Sequence, residues 1–172
     1  MRKVKKFKLT SEFIVDISGV KLFRIKALIE FGNVKAGDLG GYIEKEENLS
    51  HMGNAWVSGN AQVFGNARVS GNAWVSGNAQ VSGNAWVFGD AQVFGDARVS
   101  GDKDYAYAHG FGSCNRTTTF FRLKDGDVGV RCGCFYGTLA QFRDNVCETH
   151  GETKKAQEYL MLADLMEIRF KN

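Results

Sequence analysis

The sequence predicts a mainly β protein: a parallel β-helix over residues 37–102, an N-terminal β-hairpin cap over 1–36, and a small C-terminal α+β domain over 103–172 in ββαα order. Three observations lead there. The chain of 172 residues holds 21 glycines and no proline. Through the middle, glycine recurs at a fixed interval of six, which marks a repeat architecture and not a low-complexity tract. The segments on either side lose that period and take up hairpin and helix patterns instead.

From Gly53 the chain reads GNAWVS GNAQVF GNARVS GNAWVS GNAQVS GNAWVF GDAQVF GDARVS, eight hexads without insertion, and Gly101 and Asp102 begin a ninth. Ala and Val in each hexad stand two apart, so on an extended strand both point to one side. That side is uniform and apolar and should face a core. The residue between them varies among Trp, Gln and Arg and should face out. Gly followed by Asn or Asp is the pair best able to take left-handed backbone angles, so each hexad supplies one short strand and one corner. Three corners close a coil of eighteen residues, and coils should stack about 4.8 Å apart. Ile43 and Leu49 fall in phase with Ala55, which starts the first coil near Gly37 and predicts between three and four coils.

Every third hexad then stacks on one wall. The first wall presents Trp56, Trp74 and Gln92 with Phe94 beside them; the second Gln62, Gln80 and Arg98 with Phe64; the third Arg68 and Trp86 with Phe88. Outward aromatics in clusters mark an interface. Trp56, Trp74, Trp86, Phe64, Phe88 and Phe94 are therefore the expected contact residues of a homo-oligomer, with a ligand or partner surface as the alternative. Few basic residues surround these rings, which argues against nucleic acid.

An open solenoid exposes unpaired strand edges and needs caps. At the N-terminal end, FIVDI (13–17), a turn at Ser18 and Gly19, and VKLFRIKAL (20–28) read as a hairpin with Phe23, Ile25 and Ala27 on one face. Residues 1–36 carry nine Lys or Arg against three acids, a basic end that favours solubility or an anionic partner. In the tail, TTTFFRL (117–123) and VGVRCGCF (128–135) flank a turn at 124–127. Leu139, Phe142, Val146 and Cys147 give helical spacing up to Gly151, and a second helix over 154–170 should bury Tyr159, Leu162, Leu165, Met166 and Phe170. No apolar stretch follows the basic start and no run is long enough to span a membrane. A cytoplasmic protein with reduced thiols is expected.

Candidate chemistry concentrates in the tail. HGFGSCNRTTTFF (109–121) combines glycines with hydrogen-bonding side chains, so His109, Asn115, Arg116 and Thr117 are the candidate ligand or partner residues, with Arg116 suited to a phosphate or carboxylate. Cys132, Cys134, Cys147 and His150 could gather as zinc ligands, since Cys132 and Cys134 share a strand face; buried thiols are the simpler reading, and no cofactor is expected. No Walker loop, dinucleotide fingerprint or nucleophile elbow is present.

Val57 followed four residues later by Ala61, and Val63 by Ala67, resemble the hexapeptide-repeat family. That resemblance implies a left-handed parallel β-helix, where spacing by itself implies a solenoid of either hand. It also implies trimers packed along the coil walls. Acyltransferases on this scaffold bring a general-base His to the subunit cleft on an inserted loop. His51, in a core phase shared with Val57, and His109 are the available histidines, and the repeat has no such insertion. FRIKAL (23–28), KAGDLGGYIEKEENLSHMGNAWVSGNA (35–61) and the tail motifs HGFG, RTTTF, CGCFYGTL and ETHG further resemble hexapeptide-repeat proteins of bacteriophage and prophage genomes. The expectation is a non-enzymatic, phage-encoded oligomeric binding protein acting in counter-defence, by inhibiting a host immune protein or sequestering a small nucleotide. The alternative is a hexapeptide-type acyltransferase.

Overall fold

Alternating small and branched apolar residues on a two-residue period build the centre of the molecule. The structure, a computed structural model, describes residues 3–171; Met1 and Arg2 of the basic start, and Asn172, lie outside the described residues. Each hexad contributes one two-residue strand: β4 (Trp56–Val57), β5 (Gln62–Val63), β6 (Arg68–Val69), β7 (Trp74–Val75), β8 (Gln80–Val81), β9 (Trp86–Val87), β10 (Gln92–Val93) and β11 (Arg98–Val99). They stack in parallel as three walls, β4-β7-β10, β5-β8-β11 and β6-β9, with Trp56 opposite Trp74, Gln62 opposite Gln80 and Arg68 opposite Trp86. The result is a β-solenoid of about three turns, with the wall membership that the eighteen-residue coil predicts. The repeating Ala and Val side chains are sealed inside. The corners turn on glycine: at Gly77, φ is +69° and a Cβ would come within 2.8 Å of the Gly95 nitrogen in the next coil.

The first coil departs from the expected phase. Tyr42 opposes Gln62, twenty residues on, whereas Trp56 opposes Trp74, eighteen on. Ile43 lies over Val63 and Leu49 over Val69, so these larger side chains occupy the valine row, not the alanine row. The two extra residues are absorbed at the corner after Ser50, whose N–H still reaches Val69, while the Asn54 N–H reaches Gly71. His51 therefore sits on a bulged corner and not in the core phase expected of it.

Groups from the flanking segments pair with the open backbone edges at both ends of the coil stack. Along each wall backbone groups pair between neighbouring coils, as the Trp56 N–H on Ala73 (3.0 Å) and the Gln62 N–H on Ala79 (2.9 Å). The lower edge of the hexad coils presents the carbonyls of Ala55, Ala61 and Ala67. Donors cover them: the Lys6 ammonium on Ala55 (2.7 Å), the Asn48 amide on Ala67 (2.9 Å), and the Tyr42 N–H on Ala61 (2.9 Å). The upper edge presents both kinds of group: the Asp102 carboxylate accepts the Trp86 N–H (2.8 Å), the Thr119 hydroxyl the Gln92 N–H (2.9 Å) and Asp104 the Ser100 N–H (2.9 Å), while the Tyr105 hydroxyl donates to the Trp86 carbonyl.

The N-terminal cap is a hairpin of β1 (Phe7–Val15) and β2 (Lys21–Ala27), closed by the Asp16 carboxylate, which accepts from the Ser18 and Val20 N–H groups. It pairs through β3 (Leu39–Ile43) onto one wall, giving a sheet ordered β1-β2-β3-β5-β8-β11. Leu22 joins Ile25 and Ala27 in the buried set, while Phe23 is half-buried, because the strand is irregular between Arg24 and Lys26.

The C-terminal domain has four strands where two were expected. β12 (Tyr105–His109), β13 (Thr117–Arg122), β14 (Val128–Cys132) and β15 (Phe135–Thr138) form an antiparallel meander, followed by α1 (Leu139–His150) and α2 (Lys154–Arg169). The expected strand 128–135 is broken by a tight turn at Gly133 and Cys134, since Cys132 pairs with Phe135. β13 alternates between two cores: Phe121 closes the solenoid, and Phe120 packs under the helices with Phe142 and Val146. On α2 the buried stripe is Ala156, Tyr159, Ala163, Met166 and Phe170. Leu165, expected inside, is exposed, as is Cys147 on α1. No helix among the described residues is long and apolar enough to cross a membrane.

Candidate functional site

The six wall aromatics have three different fates. Trp56 is corrected from surface to core: it is 2% exposed, with Phe31 of the N-terminal cap packed edge-on at 5.3 Å. Trp74, Phe64 and Phe94 are half-buried. The Trp74 indole N–H donates to Ser58 (2.8 Å), and Phe94 lies under Arg131 and Tyr136 of the C-terminal domain. Trp86 and Phe88 stay open, at 49% and 42% exposure. Their rings meet at 5.3 Å, Tyr107 extends the row at 6.1 Å, and the Trp86 indole N–H is fixed on Ser70 (2.7 Å). Beside them runs an open cleft of about 740 Å³ on the third wall, with Val4, Ile29, Leu49 and Met52 in its apolar lining and Lys3, Arg68, Glu46 and Glu47 as its charges.

The tail segment singled out in the sequence wraps over a second cleft, of about 420 Å³, between the meander and the two helices. It is tied to α2 by the Gly112 N–H on Glu158 (2.6 Å) and the Ser113 N–H on the Tyr159 hydroxyl (2.9 Å). Arg116 lines this cleft together with Ser113, Cys132, His150 and Tyr159. Burial raises the Tyr159 phenol above its ordinary value, so it stays protonated at neutral pH. The other three tail candidates do not enter the cleft lining. His109 Nδ1 and the Thr117 hydroxyl pair across β12 and β13 at 2.8 Å, and Asn115 is exposed with φ +47°.

The YdcK β-solenoid repeat family matches residues 61–77, 79–93 and 91–102. The solenoid is similar to that repeat. The match lies wholly inside the coils; it takes in Arg68 and Trp86 of the third-wall cleft and none of the residues of the C-terminal cleft. No curated protein matches the chain.

The zinc candidates separate once the turn at Gly133 is in place. Cys132 is buried, accepting from Thr118 (3.3 Å) and facing the Tyr159 hydroxyl (3.7 Å), while Cys134 is exposed in the turn and Cys147 is exposed on α1. Cys132, Cys134 and His150 share the cleft lining without Cys147, and no group of three metal-ligating side chains comes together among the described residues. His51 has both ring nitrogens engaged: Nδ1 accepts the Lys6 N–H (3.1 Å), Nε2 donates to Glu46 (2.6 Å), and the ring stacks on Phe7 at 4.3 Å.

Tyr159, which its helical spacing marks as core, also lines the second cleft, a position that spacing does not reveal. The outer face of α2 is a second feature outside the sequence expectations: Met161, Leu165 and Ile168 are exposed there at positions four and three apart. That signal was available as a second apolar stripe on the same helix.

Proposed function

We propose that this protein is a non-catalytic binding protein that assembles with copies of itself through the third wall of its solenoid. The carrying observation is the uncovered Trp86 and Phe88 row beside an apolar cleft on the same wall. Ridge and hollow on one face let each subunit insert into the next, the head-to-tail contact that closes into a ring. The rim carries both Arg68 and Glu47, so two copies can pair charges of opposite sign. A stable contact of this kind buries about 800 Å² per partner. The aliphatic-then-small pattern supports a left-handed coil, and its relatives' habit of packing along coil walls favours a trimer.

The engaged nitrogens of His51 support the non-catalytic reading, because a general base needs a free lone pair at the substrate. The likeness of the cap and tail motifs to phage proteins supports a phage origin and a place in the bacterial cytoplasm. In that setting we assign it counter-defence, by holding a host immune protein or a small nucleotide signal. Native mass spectrometry tests the assembly. The wild-type chain should appear at three times the chain mass, and the double variant Trp86→Ser, Phe88→Ser at the chain mass with its circular dichroism unchanged. A wild-type monomer at micromolar concentration would end this reading.

A further inference from the structure

The cleft of the C-terminal domain carries a single permanent charge in its lining. That charge is the Arg116 guanidinium, and no carboxylate joins it in the lining. Glu158, the acid next to Tyr159 in the chain, is occupied by the Gly112 N–H. The Arg116 guanidinium makes no hydrogen bond or ion pair with any other described residue, although Arg24, Arg122 and Arg143 each have a carboxylate partner. It is nevertheless seated. It lies across the turn at Gly133, where a Cβ would stand 2.2 Å from Nη1. The backbone leading into it is held in the left-handed region at two successive non-glycine residues, Cys114 (φ +58°) and Asn115 (φ +47°). Such angles cost about 1–2 kcal/mol each where they are not relieved locally, and strain of this kind gathers where a side chain must be aimed.

We propose that this cleft binds a small organic anion, with its phosphate or carboxylate head on Arg116 and its apolar body against Phe135 and Phe142. An unpaired guanidinium offers a planar fork of donors matched to an oxyanion. The deeper lining supplies aromatic faces, and Ser113, Asn145 and Thr149 supply neutral hydrogen-bonding groups. The volume of about 420 Å³ falls in the range of roughly 300–1,000 Å³ usual for ligand sites. The site lies on the C-terminal domain, away from the coil wall assigned to self-association, so it stands or falls separately.

Isothermal titration with phenyl phosphate, benzoate, inorganic phosphate and phenol tests the assignment. Phenyl phosphate or benzoate should bind, and which of the two binds better identifies the head group. Inorganic phosphate and phenol, each lacking one half of the ligand, should bind more weakly. Arg116→Gln should weaken binding about tenfold or more, and Arg116→Lys by less, because it keeps the charge and loses the fork. Arg131→Gln, a cation outside this cleft, and the Trp86→Ser, Phe88→Ser variant should bind as the wild type does. Amide chemical shifts at Gly133 and Ser113 should move on titration. Absence of binding by both aromatic anions at millimolar concentration, or equal binding by Arg116→Gln, overturns the proposal. An equal loss in Arg131→Gln overturns it too, since that is general charge attraction.

Discussion

Lys6 does at one residue what a whole strand does elsewhere. It is buried at 1% exposure, its ammonium covers carbonyls of the first coil, and it lies over the Phe31 ring at 4.7 Å. Burial lowers its pKa from 10.5 to about 8. Between those values the unfolded chain holds more protons at this site than the folded one, so stability should rise with pH from about 8. Above pH 10 the trend is opposed by Tyr105, whose phenol burial pushes up to about 12, so that the unfolded state gains by ionising first. Urea unfolding at pH steps between 7.5 and 9.5, in wild type and Lys6→Met, should show a rise that the variant lacks. The tryptophans make the second residue-scale contrast. Trp56→Ala should cost about 3–5 kcal/mol by emptying a sealed site. Trp86→Ala, on an open wall, should cost about 1 kcal/mol or less at concentrations where the chain is monomeric.

At the scale of elements, the coil edges are finished by side chains that pair with their open backbone groups. Thr119 is fully buried and its hydroxyl accepts the Gln92 N–H of the last coil. Thr119→Val keeps the shape and leaves that donor without a partner, so it should destabilise the protein by about 1–3 kcal/mol in urea denaturation. The same logic reads out along the corners. Asn72 and Asn78 donate to Asp90 and Asp96 one coil above. Asn can accept from below and donate above, whereas Asp can only accept, and the change from Gly-Asn to Gly-Asp begins at residue 90, where the ladder ends. α1 is stopped and started as its sequence indicates: Thr138 and Gln141 cap each other's N–H groups, and Gly151 takes φ +57° at its end.

For the whole molecule, the eighteen-residue coil is the unit of both stability and orientation. Removing residues 59–76 takes out one full turn and keeps the C-terminal domain over the same wall. That variant should retain one cooperative thermal transition and a β-type circular dichroism spectrum. Removing residues 59–64 alone turns everything after the cut by a third of a revolution against the N-terminal hairpin, so Tyr42 and Trp56 meet Arg68 and Gln80 in place of Gln62 and Trp74. It should unfold at a clearly lower temperature, although fewer residues are lost. Equal stability of the two deletions would show that the caps do not read the register of the walls.

The solenoid was legible in the residues because its rules are local. An Ala and a Val two apart, a Gly that tolerates positive φ, and a period of six repeat the same short-range geometry eight times, and the three walls follow from it. What covers an outward side chain is not local. Trp56 and Trp86 occupy identical positions in their hexads, and only the docking of the N-terminal cap buries one and leaves the other open. The phase of the first coil, the break between Cys132 and Cys134, and the meeting of Arg116 with Tyr159 and His150 were likewise decided by packing between segments distant in the chain. Short-range backbone preference wrote the coil into the sequence, and long-range burial chose which of its surfaces, and which residues of its tail, remain free to bind.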